Sequence, residues 1–196
     1  ATTQFTTGFE RKLFSNAVSV NLFYSLERIR QFDVFINGLY SKTDNETLLI
    51  GSLLPSVIVD TRDSPFTTTK GQVTRFNFNY ANPTLADRRR DDSLAVGYVR
   101  WTGSTHWYLP LAKGIVWSNV VGGGFERSNI AGKAIPLIKL FRLGGYSNLR
   151  GFAEDSINAD AAVDLKGTLH FLNFRSQFDL PFFGDLRFAP FIDAGN

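Results

Sequence analysis

The sequence predicts an all-β chain folded as an antiparallel transmembrane β-barrel, and three observations carry that prediction. Several segments alternate apolar and polar residues with a period of two, the signature of a strand with two unlike faces. Aromatic residues make up 14% of the chain, with 19 phenylalanines, yet the mean hydropathy is only -0.08, so large apolar groups are interleaved with polar ones rather than clustered. No run of eighteen or more apolar residues is present, which leaves strands rather than a helix as the means of crossing a bilayer. A soluble two-sheet sandwich meets the same alternation, its apolar face turned to a second sheet instead of lipid.

Taken in order, residues 2–9 are rich in threonine and phenylalanine and end at a polar turn, Glu10-Arg11-Lys12. Val18, Val20, Leu22, Tyr24 and Leu26 then share one face, opposite Ala17, Ser19, Asn21, Phe23 and Ser25. Residues 31–40 put Phe32, Val34 and Ile36 against Asp33 and Asn37 and read as the next strand, with a polar turn over 41–46. Residues 47–59 form a long apolar strand, closed by Asp60-Thr61-Arg62-Asp63-Ser64-Pro65 and Gly71, with Asp60 and Arg62 on one side by period two.

From Gln72 the alternation is clearest: Thr74, Phe76, Phe78 and Tyr80 against Val73, Arg75, Asn77 and Asn79. An arginine and two asparagines are costly in a dry core, whereas a wet lumen accepts them. Residues 82–92 form a charged loop around Pro83. Residues 93–109 alternate poorly but read as a strand whose Trp101, Trp107 and Tyr108 suit a membrane interface. Over 113–125, Ile115, Trp117, Asn119 and Val121 face away from the small Gly114, Ser118, Gly122 and Gly124; Gly122-Gly123-Gly124 lacks the lysine and following helix of a phosphate cradle.

Residues 131–143 lead through Pro136 into Gly144-Gly145-Tyr146-Ser147-Asn148-Leu149-Arg150-Gly151-Phe152, one arginine among three glycines and two aromatics. A loop with Glu154, Asp155 and Asp160 follows. The next strand sets Leu172, Phe174, Phe178 and Leu180 against Asn173, Arg175 and Gln177. After Pro181 and Gly184, residues 186–195 form the last strand, with Phe191, Asp193 and Gly195 on one face and Phe188, Ile192 and Ala194 on the other. The count is about nine strands, each near the roughly 9–11 residues that span a tilted barrel wall, and no helix.

Composition narrows the function classes. The net charge is +3, but Arg88-Arg89-Arg90 is offset at once by Asp91-Asp92, so no nucleic-acid-binding stripe is expected. Without cysteine there is no disulfide, thiolate metal site or cysteine nucleophile. His106 and His170 are the only histidines and have no catalytic or metal-ligand partner by spacing. Asp91-Asp92 and Glu154-Asp155 read as solvated loops rather than acid–base pairs. No catalytic activity, cofactor or metal is expected. The absence of methionine points to a processed product or an excised segment.

Three stretches carry a resemblance to a known family. Gly144-Gly145 followed by Leu149-Arg150-Gly151-Phe152 is similar to a Gly-Gly and Val-Arg-Gly-Phe/Tyr loop motif. Asp60-Thr61-Arg62-Asp63-Ser64-Pro65 with Gly71 is similar to an Asp-Thr-Arg-Asp-Asn-Pro strand end, and Phe191-Ile192-Asp193-Ala194-Gly195 to a Phe-x-Asp-x-Gly strand. In this order they resemble the outer-membrane assembly family of β-barrels, the BamA and TamA type, also described as surface-antigen barrels with POTRA domains. Members have sixteen strands behind periplasmic POTRA domains. The resemblance therefore implies that residues 1–196 are one partial barrel domain, from about the fifth strand to the thirteenth, without POTRA domains or terminal strands.

The resemblance further implies an integral protein of the outer membrane of a Gram-negative bacterium, or of an organelle derived from one. Its function would be non-enzymatic assembly and insertion of outer-membrane proteins. Its partners would be the lipid bilayer, unfolded outer-membrane client proteins, and accessory assembly proteins bound through POTRA domains. A two-partner secretion transporter is the alternative within the fold, and a passive porin or ligand-binding barrel the alternative outside the class. In the family the motif loop folds into the lumen, so Arg150 would latch onto Asp193, with Gly151 allowing close approach and Phe152 packing on the wall. Removing one partner would cost about 3–5 kcal/mol if the pair is well desolvated, whereas in a wet lumen the pair is worth about 1 kcal/mol or less, the end favoured by the hydrated lumen positions. Where the family has a glutamate on the preceding strand, the alignment places Arg175, which would need Glu154, Asp155 or Asp179 to offset it.

Overall fold

The computed structural model describes residues 2–14, 16–30, 35–36, 39–40, 46–87, 89, 92–157, 167–184 and 186–196. Alternation along the chain becomes one up-and-down sheet, because each hairpin turn brings consecutive amphipathic strands side by side with like faces matched. The strands are β1 (Thr2–Leu13), β2 (Val18–Arg30), β5 (Thr47–Asp60), β6 (Gly71–Ala81), β7 (Tyr98–Ala112), β8 (Ile115–Ser128), β9 (His170–Phe183), β10 (Leu186–Phe188) and β11 (Phe191–Gly195). Every pairing is antiparallel, in the order β1-β2-β5-β6-β7-β8-β9, with β10 and β11 both on β9. This nine-stranded sheet is open: among the described residues β1 does not meet β11.

Several boundaries depart from the sequence reading. Glu10-Arg11-Lys12 belongs to β1, paired with Asn21, Val20 and Ser19, because the ladder to β2 outweighs their polarity. Residues 31–40 do not form one strand; β3 (Phe35–Ile36) and β4 (Leu39–Tyr40) pair as a short hairpin. Residues 31–34, 37–38 and 41–45 of that segment, like Arg88, Arg90, Asp91 and Asp160, lie outside the described residues. Residues 93–97 precede β7 rather than belonging to it, which explains the poor alternation. The last strand is interrupted at Ala189-Pro190, since Pro190 has no N–H to donate, although its carbonyl still accepts from Phe178 (3.0 Å).

Direct cross-strand partners share a face, so the register sorts the wall. Val20, Val57, Phe76, Gly103, Gly123 and Leu172 form one such row, and its face also carries Leu22, Trp101, Phe125 and Phe178, all exposed. Phe78 lies 4.2 Å from Trp101 between ring centroids, and Trp117 stacks on Phe178 at 5.7 Å. The opposite face carries Asn21, Ser56, Asn77 and Thr102. Trp101 and Trp107 point to the apolar face; Tyr108 does not, pairing with Ser118 on the polar side and bonding His106 Nδ1 at 2.9 Å.

The two ends of the sheet differ. Among the described residues, 14, 16–17, 61–70 and 113–114 lie in the shorter connections at one end, while 82–87, 92–97, 129–157 and 167–169 lie in the longer ones at the other. The buried core sits at the long-loop end, where Ile135 and Val96 from the loops pack on Ile29, Leu48, Ile50, Ala81 and Tyr98, with Leu94, Ile138 and Leu140 around them. Loop residues thus fill the polar side of the wall, not the apolar side. Among the described residues the helical segments are single 3-10 turns, Pro83–Ala86 and Leu137–Lys139.

Candidate functional site: the loop docked on the inner wall

The loop between β8 and β9 leaves the long-loop end and runs along the polar face. Isolated bridges Phe141–Thr168, Leu143–Ile157 and Gly145–Leu149 keep it paired to itself, and Leu143 and Leu149 are buried. Gly144 (φ +111°) and Gly145 (φ +91°) adopt a backbone conformation that L side chains rarely hold. A Cβ at Gly144 would also strike the Ala153 carbonyl, and one at Gly145 the Glu154 carboxylate. Asn148 secures the turn, its Oδ1 accepting from Gly144 N (2.8 Å) and its Nδ2 donating to Arg142 O (3.3 Å).

That turn delivers Arg150 to Asp193. Asp193 Oδ2 accepts from the Arg150 backbone N (2.9 Å) and Nε (2.8 Å), and Oδ1 from Nη2 (2.7 Å). The guanidinium carbon lies 3.7 Å from the centroid of the Phe191 ring, a cation–π contact. The remaining donor, Nη1, reaches Gln177 Oε1 at 2.6 Å, and Gln177 Nε2 donates to Asp179 Oδ1 at 2.8 Å. The side chains are 16% (Arg150) and 2% (Asp193) exposed, so the pair is largely shielded from water.

Other candidate residues sit differently from expectation. Gly151 has open space around a would-be Cβ, so its glycine is required by φ +91° rather than by close approach. Close approach occurs at Gly195, where a Cβ would lie 2.9 Å from Leu172 O and 3.0 Å from Leu149 Cδ1. Phe152 is half exposed; Leu149 is the loop side chain buried against the wall. Arg175 does not bond Arg150's carboxylate. The β9 residue that touches Arg150 is Gln177, two positions further along the same face, because Arg175 lies directly opposite Asp193 and Gln177 opposite Phe191. Of the three acids considered to offset Arg175, Asp155 pairs with Arg142 (3.2 Å), Glu154 lies against Gly145, and Asp179 serves Gln177.

The second motif repeats the first in its chemistry. Asp60 Oδ1 accepts from the Arg62 backbone N (3.1 Å) and Nε (2.9 Å), and Oδ2 from Nη2 (2.7 Å), the same use of an arginine's amide and guanidinium on one carboxylate. Asp63 closes the turn by accepting from the amides of Ser64 (3.0 Å), Thr69 (3.0 Å) and Lys70 (3.2 Å) and from the Thr69 hydroxyl. These donors hold its carboxyl well below the usual range, at about 2. One row of direct partners joins the two motifs across the wall: Asp60, Val73, His106, Val120, Arg175, Asp193. The loop therefore reaches almost to the short-turn end.

Sequence reasoning missed a second contact between loop and wall. Arg100 Nε donates to Glu126 Oε2 at 2.6 Å, Arg100 Nη2 donates to the Lys139 carbonyl, and Lys139 Nζ pairs with Glu27 Oε2. Arg100 also covers the Phe141 ring at 4.8 Å, and Glu126 is fully buried. Arg100 and Glu126 are direct cross-strand partners, a signal hidden by the weak alternation before β7. Among the described residues, no three His, Asp or Glu side chains come together as a metal site.

The Omp85 superfamily domain matches residues 1–196. The fold is similar to the crystal structure of BamA from Haemophilus ducreyi lacking POTRA domains 1-3, with a TM-score of 0.73 at 17% sequence identity, over 99% of this chain and 41% of that one. This chain thus spans less than half the length of the structure it matches. No curated protein matches it significantly.

Proposed function

Because the chain belongs to the Omp85 superfamily, we propose that it is wall and internal loop of an outer-membrane machine that inserts, or helps translocate, outer-membrane polypeptides. The superfamily match along residues 1–196 carries the reading; the nine-stranded amphipathic wall and the loop docked on its polar face are consistent with it. Arg150 and Asp193 act as a latch that fixes the loop, with Phe191 beneath and Gln177 beside the guanidinium. The latch is mechanical: it performs no covalent step and needs no cofactor. The bilayer, unfolded client proteins and accessory proteins docked through POTRA domains are the partners, and the setting is a Gram-negative outer membrane or its organellar descendant.

Reconstitution of the full-length protein in liposomes tests this. Folding of an added, urea-unfolded outer-membrane protein should accelerate, and Asp193→Asn should reduce that acceleration without abolishing barrel formation. A stable open-pore conductance with no effect on client folding would instead identify a passive porin. Passage of an extended client into the liposome without its insertion would identify a secretion transporter.

A further inference from the structure

On the inner wall, Arg175 Nε has no hydrogen-bond acceptor among the described residues. Arg175 enters none of the ion pairs among the described residues, and its Nε is shut off from solvent without a hydrogen-bond partner. The neighbouring carboxylates are engaged elsewhere: Asp193, directly opposite, by three N–H groups of Arg150, and Asp179 by the Gln177 amide. An enclosed donor of this kind costs free energy comparable to a lost hydrogen bond, and more when it belongs to a charged group.

Arg175 also borders a cavity of about 280 Å³, shared with Arg150, His106, Tyr108, Ser118 and Asp179. Two cationic side chains thus face one carboxylate there, beside the Ser118 hydroxyl and the Tyr108 hydroxyl, which is shared with His106 Nδ1. The volume exceeds several times the ~30 Å³ share of one water molecule. The exposed apolar row of Val20, Val57, Phe76 and Leu172 lies on the other face of the wall, so a ligand of this cavity arrives from the polar side. We propose that the cavity is a binding site for a small soluble oxyanion of the phosphate class, held by the two terminal nitrogens of Arg175 and by the Tyr108 and Ser118 hydroxyls. Arginine's planar fork matches two oxygens of such an anion at once.

The test is a titration of the full-length detergent-solubilised protein with inorganic phosphate at ionic strength kept constant with sodium chloride, read as ³¹P line broadening. Saturable broadening is expected. Arg175→Gln should weaken it about tenfold or more, the loss of one or two charge-assisted hydrogen bonds. Arg75→Gln, which removes an inner-face arginine outside the cavity, should leave it unchanged. Tyr108→Phe, a milder change that retains the ring, should weaken it a few-fold and covers the case in which Arg175→Gln fails to fold. Non-saturable broadening in the unaltered protein would overturn the site. So would equal losses in the Arg175 and Arg75 variants, because binding would then follow total lumen charge.

Discussion

At the scale of single residues, burial decides what the Arg150–Asp193 pair is worth. Two exposed charges contribute little, but removing one partner of a buried pair strands the other charge. With Asp193 only 2% exposed and accepting three hydrogen bonds, Arg150→Ala should destabilise the barrel by about 3 kcal/mol, the low end for buried pairs. A urea titration of the folded protein measures this, and a loss below that of a surface pair would mean a water-filled contact. Gln177→Ala removes two hydrogen bonds to charged groups, Arg150 and Asp179, and should cost about 1.5–3 kcal/mol in the same assay. Asp63 supplies the pH-dependent case, outside the spanning strands. Its folded pKa lies below the unfolded value, so its contribution is complete above about pH 4 and disappears as pH falls through about 2. Protection of the Thr69 amide from hydrogen exchange should follow that window, and Thr69→Ala should shift it upward.

At the scale of the strand, the two faces of the wall should respond oppositely to charge. Phe76 lies exposed on the apolar face and Arg75 beside it on the polar one. Phe76→Arg should cost roughly 2–4 kcal/mol in bilayers if it sits near the midplane, less toward the interface. Arg75→Gln, facing water, should change stability little. Liposome unfolding titrations compare the two, and equal costs would argue against a lipid-facing apolar side. Gly195 probes the fit between β11 and the loop: Gly195→Ala pushes a methyl group against Leu172 O and Leu149, which overpacking puts at about 1–3 kcal/mol.

At the scale of the whole molecule, two ion-pair stations hold the β8–β9 loop to the wall among the described residues. Glu126, at the first, and Val120, on the row of Asp193, are six residues apart on β8, or about 20 Å at ~3.4 Å per residue. Groups so far apart without shared partners act independently. The destabilisations caused by Glu126→Gln and Asp193→Asn should therefore add within about 0.5 kcal/mol in the double variant. A larger coupling would show that the loop docks as one cooperative body. A loop released at Asp193 alone stays tethered at Lys139 and Arg100.

The fold class was legible in the sequence because side-chain alternation is a local property. Thr74, Phe76 and Phe78 must oppose Arg75 and Asn77 whatever the strand pairs with, and a turn between such strands leaves antiparallel neighbours as the short connection. The contact of Arg150 with Asp193, 43 residues apart, is one that the resemblance implied and the structure contains. Only the tertiary structure decided what depends on register summed over several ladders or on how deep a loop descends. It set Gln177 rather than Arg175 beside Arg150, put Tyr108 on the inner face, left Phe152 exposed while Leu149 was buried, and joined Arg100, Glu126, Lys139 and Glu27. Asp60 and Asp193 stand at the two ends of one row for the same reason: five successive antiparallel pairings place them there, and no stretch of sequence contains all five.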